Sequence, residues 1–176
     1  MHFKGPRNSV EQVLRPDSIM HIIESEYHQK INECCNIVND FVLQHSHGDD
    51  VDLSVSELLH LLIAKLSDEI KHLTLKESGI LYPIIKKDLK NTTGKVTIDR
   101  QIFESIKTRH LVISELIKRI KRLFNDQNEL LDLNDDWKIF FETLMLLEEK
   151  IYEWIYLEQD LLFPQLTGTL PAAQAN

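Results

Sequence analysis

Apolar side chains recur at alternating steps of three and four residues along four long stretches of this chain. This spacing places them on one face of an α-helix, where they can be buried together. The two clearest faces contain Leu59, Ile63, Leu66, Ile70 and Leu73, and Phe140, Leu144, Leu147, Ile151 and Trp154. The composition, with only five glycines and five prolines in 176 residues, favours helix over sheet. The sequence therefore predicts an all-helical protein.

Capping residues divide the chain into four helices. The first helix is predicted to start at Asp17 with Ser18, the third at Asp99, and the fourth at the acidic group of residues 134–136. The second is predicted to start at a capping box at residues 54–57, with Leu53 and Leu58 as its apolar staple. We expect the first three helices to end near Gln44, Lys87 and Phe124. Because the connections are short, successive helices are expected to be antiparallel neighbours. The predicted fold class is an all-α, antiparallel up-down-up-down four-helix bundle over residues 17–166, with a lead at 1–16 and a tail at 167–176.

Charge and hydropathy exclude several classes of function. The net charge of -8 does not provide the clustered basic face that nucleic acid requires, and the basic run at residues 118–122 is interpreted as a solvated helix face. No apolar stretch approaches the roughly 20 residues of a membrane span. The sequence contains no Gly-rich phosphate loop and no local nucleophile motif, so no catalytic residue is assigned. Cys34 and Cys35 are adjacent and are expected to be reduced, which suits a cytoplasmic protein.

Two segments of the chain repeat each other in outline. Glu77 precedes Pro83 by six residues, and Glu158 precedes Pro164 by six residues, with apolar residues before each proline. Each glutamate continues the apolar face of its helix, so both acids are predicted to point inward. An unpaired charge is costly in such a position, which makes these acids candidates for a functional site.

His28 and His110 occupy comparable inward positions on the first and third helices. His110 continues the face Phe103, Ile106, Ile113, Ile117, Ile120 and Phe124, and His28 continues the face His21, Glu24, Ile31, Cys35, Val38 and Val42. At about 1.5 Å per residue, the two histidines and the two acids all lie roughly 15 Å from the same end of an antiparallel bundle. We therefore expect the four side chains to form one layer.

This layer has two interpretations. Two imidazoles and two carboxylates from four helices are a set that helical bundles use to hold iron or manganese. Alternatively, the histidines pair with the acids in a buried polar layer that fixes the register of the helices. The residue pattern alone favours neither.

The same residues resemble the hemerythrin-like, or HHE cation-binding, domains, and most closely the hemerythrin-like part of di-iron proteins that repair iron–sulfur clusters. The resemblance covers residues 18–166 and depends on the two acid-to-proline segments, on Tyr27 with His28, and on His110. In that family a helical bundle holds two non-haem irons through histidines of all four helices and two bridging carboxylates. The resemblance implies that His28 and His110 are metal ligands and that Glu77 and Glu158 are the bridging carboxylates.

Two positions depart from the family pattern, which is His-x-x-x-Glu on the second and fourth helices. The expected histidine positions hold Leu73 and Trp154, which would line the pocket where ligands are missing. His72 is one residue out of register, and it would face the site only if a π-bulge lay between it and Glu77.

Glu24 lies one turn before His28 on the same predicted face. It is a candidate further ligand, or a partner that orients His28, and the alternative is a partly exposed acid near the mouth of the bundle. The remaining histidines are expected at the surface or rim, although the residues 45–50 could bind stray metal weakly.

The resemblance implies a non-haem iron protein with one or two irons in a degenerate site. Such a protein would bind O2 or nitric oxide, or handle iron, under oxidative or nitrosative stress. The alternative is a metal-free bundle with a structural or protein-interaction role, in which Leu73 and Trp154 fill the former metal pocket. The sequence does not identify a protein partner.

Overall fold

The computed structural model of the protein describes residues 14–45, 53–90, 98–125 and 135–168. These residues form four long helices and include no strand, which confirms the all-helical prediction for this part of the chain. Helix α1 covers residues 16–45, α2 residues 53–90, α3 residues 100–125 and α4 residues 135–167. The α-helical segments are Pro16–Ile22, Gln29–His45, Leu53–Lys76, Tyr82–Lys90, Arg100–Asn125, Asp135–Tyr156 and Phe163–Thr167, and the π-helical segments are Ile23–His28, Glu77–Leu81 and Leu157–Leu162.

The predicted capping residue is found at the start of α3 but not at the start of α1. The Asp99 carboxylate accepts a 2.9 Å hydrogen bond from the backbone N–H two residues on, as an N-cap does. Helix α1 instead begins at Pro16, and Arg15 in the cap position makes no side-chain cap. Asp17 and Ser18 therefore lie inside the first turn, and their predicted capping role is wrong. Proline suits the first helical position because its missing N–H would have no partner there.

The predicted caps of α2 and α4 lie partly outside the described residues. This applies to the side chains of Leu53 and Ser54 and to Asn134. Asp135 and Asp136 occupy the first turn of α4, where negative charge interacts favourably with the helix dipole.

All four helices contribute side chains to one hydrophobic core. The ten residues of the two predicted apolar faces are all buried, as the three-four spacing requires. Trp154, Tyr82 and Phe140 are the largest of the fully buried side chains. None of the helices in the described ranges combines the length and the apolar character that crossing a bilayer requires.

The π-helical segment of α1 changes which residues face the core. The buried residues are Ile19 and Met20 before the segment, and Ile23 and His28 at its two ends. The step from Ile23 to His28 is five residues, because a π turn holds one residue more than an α turn. The predicted face through His21 and Glu24 is therefore wrong upstream of His28, and His21 is exposed.

In α2 and α4 the π-helical segment ends two residues before a proline. Pro83 and Pro164 are the second residues of the α-helical segments that follow. A proline inside a continuous helix removes one hydrogen bond, and its ring meets the carbonyl group four residues earlier. The wider π turn relieves this conflict, because the proline then lies in the first turn of a new α-helical segment. The acid-to-proline repeat thus corresponds to two similar irregularities of the backbone, each at its glutamate.

Polar side chains also connect the helices near the surface. The contacts are Glu24–Lys86 and Asn39–Ser67 between α1 and α2, Glu69–Arg109 between α2 and α3, Lys121–Glu148 between α3 and α4, and His45–Asp136 between α1 and α4. Exposed ion pairs contribute at most about 1 kcal/mol each. The shared apolar core is therefore the main source of stability.

Candidate metal centre

Each helix contributes one polar side chain to a layer inside the core: His28, Glu77, His110 and Glu158. None of the four is more than 5% exposed. Glu77, His110 and Glu158, which we call the ligand cluster, each offer one ligand atom, and these atoms lie within 4.8 Å of one another. His28 Nε2 lies 3.0 Å from Glu77 Oε2. The structure therefore brings all four side chains together, with His28 joining the ligand cluster through Glu77.

The residue after each glutamate contacts the histidine that faces that glutamate. Ser78 Oγ lies 3.2 Å from His28 Nδ1, and Gln159 Nε2 lies 2.9 Å from His110 Nδ1. In both rings Nε2 faces the acid, at 3.0 Å in the first pair and 3.2 Å in the second. A metal-binding histidine donates its Nδ1–H to a partner of this kind. The Ser78 hydroxyl can accept that bond. The Gln159 amide nitrogen can only donate, so His110 takes the metal-binding tautomer when the Gln159 amide is turned to present its oxygen. Ser78 and Gln159 were not predicted as site residues, and their equivalent positions in the repeat were the only signal for them.

Tyr82 is a further polar residue of the layer that the sequence analysis did not assign to the site. Its side chain is fully buried, and its hydroxyl donates a 2.5 Å hydrogen bond to Glu158 Oε1. Its ring lies nearly parallel to that of His28, with centroids 6.2 Å apart. Burial raises the pKa of Tyr82 well above its usual value, and the charges of Glu158 and Glu77 raise it further.

Four buried polar atoms at this layer have no hydrogen-bond partner within the described part of the chain: Glu77 Oε1, His110 Nε2, Glu158 Oε2 and Trp154 Nε1. The 3.2 Å contact between His110 Nε2 and Glu158 Oε2 is not aligned as a hydrogen bond. Buried polar atoms are nearly always paired, and an unpaired one costs about 1–3 kcal/mol. Three of the four can donate a lone pair to a cation, His110 Nε2 in the tautomer that carries its proton on Nδ1. Two carboxylates and an imidazole are a donor set that fits iron or manganese.

Leu73 and Trp154, at the positions where the family pattern has histidine, are both buried. The Trp154 ring lies edge-on to His28 and to His110, with centroids 5.2 and 5.3 Å away. Its N–H lies close enough to the Glu77 carboxyl to lower the pKa of that group, although it forms no hydrogen bond of standard geometry. Because an indole N–H can only donate a proton, Trp154 fills space beside the cluster without binding metal.

Neither of the two additional candidates lies in the ligand cluster. His72 is exposed, and the π-helical segment Glu77–Leu81 begins at the acid instead of lying between His72 and the acid. The suggested turn of His72 toward the site is therefore wrong. Glu24 pairs with Lys86 Nζ at 2.8 Å, and Ser78 occupies the position beside His28 that Glu24 was considered for.

Burial sets the protonation of the layer when no cation is bound. It raises the pKa of Glu77 well above its usual value, and the negative charge of Glu158 raises it further. Burial also lowers the pKa of His28 from 6.5 to about 4. His28 is therefore neutral at pH 7, and the paired acids favour a protonated Glu77.

These shifts predict how the stability of the metal-free protein depends on pH. Because the folded-state pKa of Glu77 is raised, its contribution is full below about pH 4.5 and is lost as pH rises through the folded value. Because the folded-state pKa of His28 is lowered, its contribution is full above pH 6.5 and is lost as pH falls toward about 4. Between about pH 4.5 and pH 6.5, a rise in pH therefore lowers stability through Glu77 and raises it through His28. Above pH 6.5, where the contribution of His28 is constant, we expect the free energy of unfolding to fall as pH rises, with a limiting slope for one proton of about 1.4 kcal/mol per pH unit.

Urea unfolding in the presence of a chelator, measured across this pH range, tests the prediction. The Glu77→Gln variant is the matched control, because its amide cannot ionise. Its stability should stay nearly constant above neutral pH. An equal decline in both proteins would show that other groups cause it.

No family model matches the chain.

Proposed function

We propose that this chain is a hemerythrin-like, antiparallel four-helix bundle that binds one non-haem iron ion between Glu77, His110 and Glu158, with His28 as a further ligand. The observation that carries the proposal is the convergence of three unpartnered lone-pair atoms in an otherwise apolar core. When bound, iron supplies coordination of a small diatomic molecule, O2 or nitric oxide, and a ferrous–ferric couple. The function proposed is sensing of such a molecule, or iron handling, during oxidative or nitrosative stress in the cytoplasm.

The order of contacts along the helices supports the proposed antiparallel topology. From Glu24 to Asn39 on α1, the partners on α2 run backwards from Lys86 to Ser67. The contacts of α4 with α1 and with α3 show the same pattern. As residue numbers rise along α1 or α3, the numbers of their partners on α4 fall. Four helices that alternate in direction are the simplest arrangement with this order.

The surrounding residues would hold the ligands and exclude water. The carboxylates of Glu77 and Glu158 would balance the charge of a ferrous ion, which lowers the cost of placing the ion in the core. Ser78 would accept the Nδ1–H of His28, and Gln159, with its amide turned to present Oε1, would accept that of His110, which leaves both Nε2 atoms free to face the centre. Trp154 would close the remaining side with an apolar surface.

A cleft beside the layer supports access for a small molecule. The cleft has a volume of about 540 Å³ and is lined by Phe103, Phe163 and Gln159, among others. Gln159 also contacts His110, so this side chain connects the cleft to a proposed ligand. The proposed route for a diatomic molecule therefore passes Gln159.

The second candidate function is a metal-free bundle with a structural or interaction role. The 3.0 Å contact of His28 with Glu77 favours it, because it pairs His28 Nε2 with Glu77 Oε2 without a metal. The burial of Trp154 beside the ligand cluster also favours it, because the indole fills space where the family pattern has a ligand. In this case the layer would fix the register of the helices.

Metal analysis separates the two candidates. The protein would be purified without a metal-binding tag, stripped with a chelator, loaded anaerobically with ferrous iron and passed through a desalting column. We expect one iron per chain, and a large loss of bound iron in a Glu77→Gln, Glu158→Gln double variant. Absence of bound iron in the wild type, or equal iron in the double variant, would favour the metal-free candidate.

A further inference from the structure

The two acid-to-proline segments differ at the position five residues after the glutamate, which is Tyr82 in α2 and Phe163 in α4. Both side chains are buried. The Phe163 ring packs on Phe103 in the apolar core, with centroids 4.8 Å apart. Tyr82 instead carries its hydroxyl across to Glu158 of the other segment, at 2.5 Å from Oε1. At this position the two segments differ by one oxygen atom, and that atom lies at the candidate metal centre.

A phenylalanine at position 82 would provide similar packing without a polar atom to satisfy. A buried hydroxyl is costly unless it is hydrogen-bonded, so its presence needs a reason. The hydroxyl pairs Glu158 Oε1, but Glu77 Oε1 and Glu158 Oε2 still have no partner among the residues that the structure describes. What the Tyr82 hydroxyl adds is another oxygen next to the ligand cluster.

We infer that Tyr82 is a ligand of ferric iron at this centre and determines the oxidation state that the site prefers. This inference rests on the iron site proposed above. Two carboxylates balance the charge of a ferrous ion, but a ferric ion would leave one uncompensated positive charge in the core, which is costly. A phenolate removes that charge, and its hard oxygen suits ferric iron.

The binding step conserves electrons. The Tyr82 O–H bond breaks, a bond forms between the same oxygen and the ferric ion, and the proton leaves to solvent. With ferrous iron the hydroxyl keeps its proton and its hydrogen bond to Glu158. Tyr82 therefore favours the ferric form over the ferrous form.

The absorption and resonance Raman spectra of the iron-loaded protein test this inference. A ferric phenolate absorbs visible light by charge transfer, and excitation in that band enhances the vibrations of the tyrosine ring. We expect the band in ferric wild-type protein, its loss on reduction with dithionite, and no band in Tyr82→Phe when the spectra are compared per bound ferric ion.

The other tyrosines provide a control that leaves Tyr82 unaltered. The chain has four tyrosines, so replacing Tyr27, Tyr152 and Tyr156 together by phenylalanine leaves Tyr82 as the only one. We expect this triple variant to keep the whole band. This variant still tests whether Tyr82 produces the band if Tyr82→Phe fails to fold or to hold iron.

The outcomes separate this inference from the proposed function. Bound ferric iron without a visible band, a band that survives in Tyr82→Phe, or a band lost in the triple variant would overturn the role of Tyr82 and leave the iron site standing. A wild-type protein that binds no iron would overturn both.

Discussion

The Glu158→Gln change is expected to remove most of the stability that bound iron gives to the folded protein. It keeps the size of the side chain and an oxygen that can accept the Tyr82 hydrogen bond, but it removes the charge of a proposed ligand. Loss of a partner that merely orients a ligand weakens metal binding by about 10–100-fold, so loss of the ligand charge should weaken it by at least about 100-fold. At an iron concentration about 1,000 times the wild-type Kd, the stabilisation would fall from about 4 to about 1.4 kcal/mol.

Without metal the same change should be nearly neutral. Glutamine cannot carry the charge that raises the pKa of Glu77, so the loss of one contact is offset by the loss of repulsion. Chemical unfolding with ferrous iron and with a chelator measures both effects. Glu149→Gln, an exposed acid on the same helix, is the matched control and should alter neither. Equal destabilisation with and without iron would assign Glu158 a purely structural role.

The Trp154→His change is expected to have opposite effects on the metal-free and metal-bound proteins. Trp154 is among the largest fully buried side chains, and truncating such a residue leaves a cavity, so the metal-free protein should lose about 3 kcal/mol. The new imidazole would lie one turn before Glu158 on the same helix face. We expect it to act as an additional ligand and to tighten iron binding by at least about tenfold, which is about 1.4 kcal/mol.

The Trp154→Phe variant is the control for this experiment. It also removes the indole, but it supplies no ligand atom, so it should lower stability without tightening binding. Competition with a chelator of known affinity gives the iron Kd of each variant, and urea unfolding gives the stability. If both variants changed the Kd alike, position 154 would not face the metal.

The helices and most of the core follow from apolar periodicity. The ten residues of the two clearest apolar faces are buried as predicted, because a three-four spacing leaves a regular helix one face to bury. The same reasoning placed His28, Glu77, His110 and Glu158 in the interior. The position of a residue along a helix axis follows from its distance in sequence from the helix end, so their common layer could also be predicted from the sequence.

The π turns and their consequences were not predicted. An extra residue in one turn rotates everything upstream of it, which is why Ile23 is buried where Glu24 was expected. Pro83 and Pro164 are signals for two of these turns in retrospect. The first turn, in α1, has no following proline, and the local sequence does not explain it. The contacts of Ser78 and Gln159 were missed for the same reason, since they depend on backbone geometry at the glutamates.

The most direct test of the metal centre is diffraction from crystals of the iron-loaded protein, collected on both sides of the iron absorption edge. The difference should show one strong anomalous peak between the side chains of Glu77, His110 and Glu158. A peak found only elsewhere, such as at the histidines and aspartates of residues 45–50, or no peak in protein that had been loaded with iron, would contradict the proposed site.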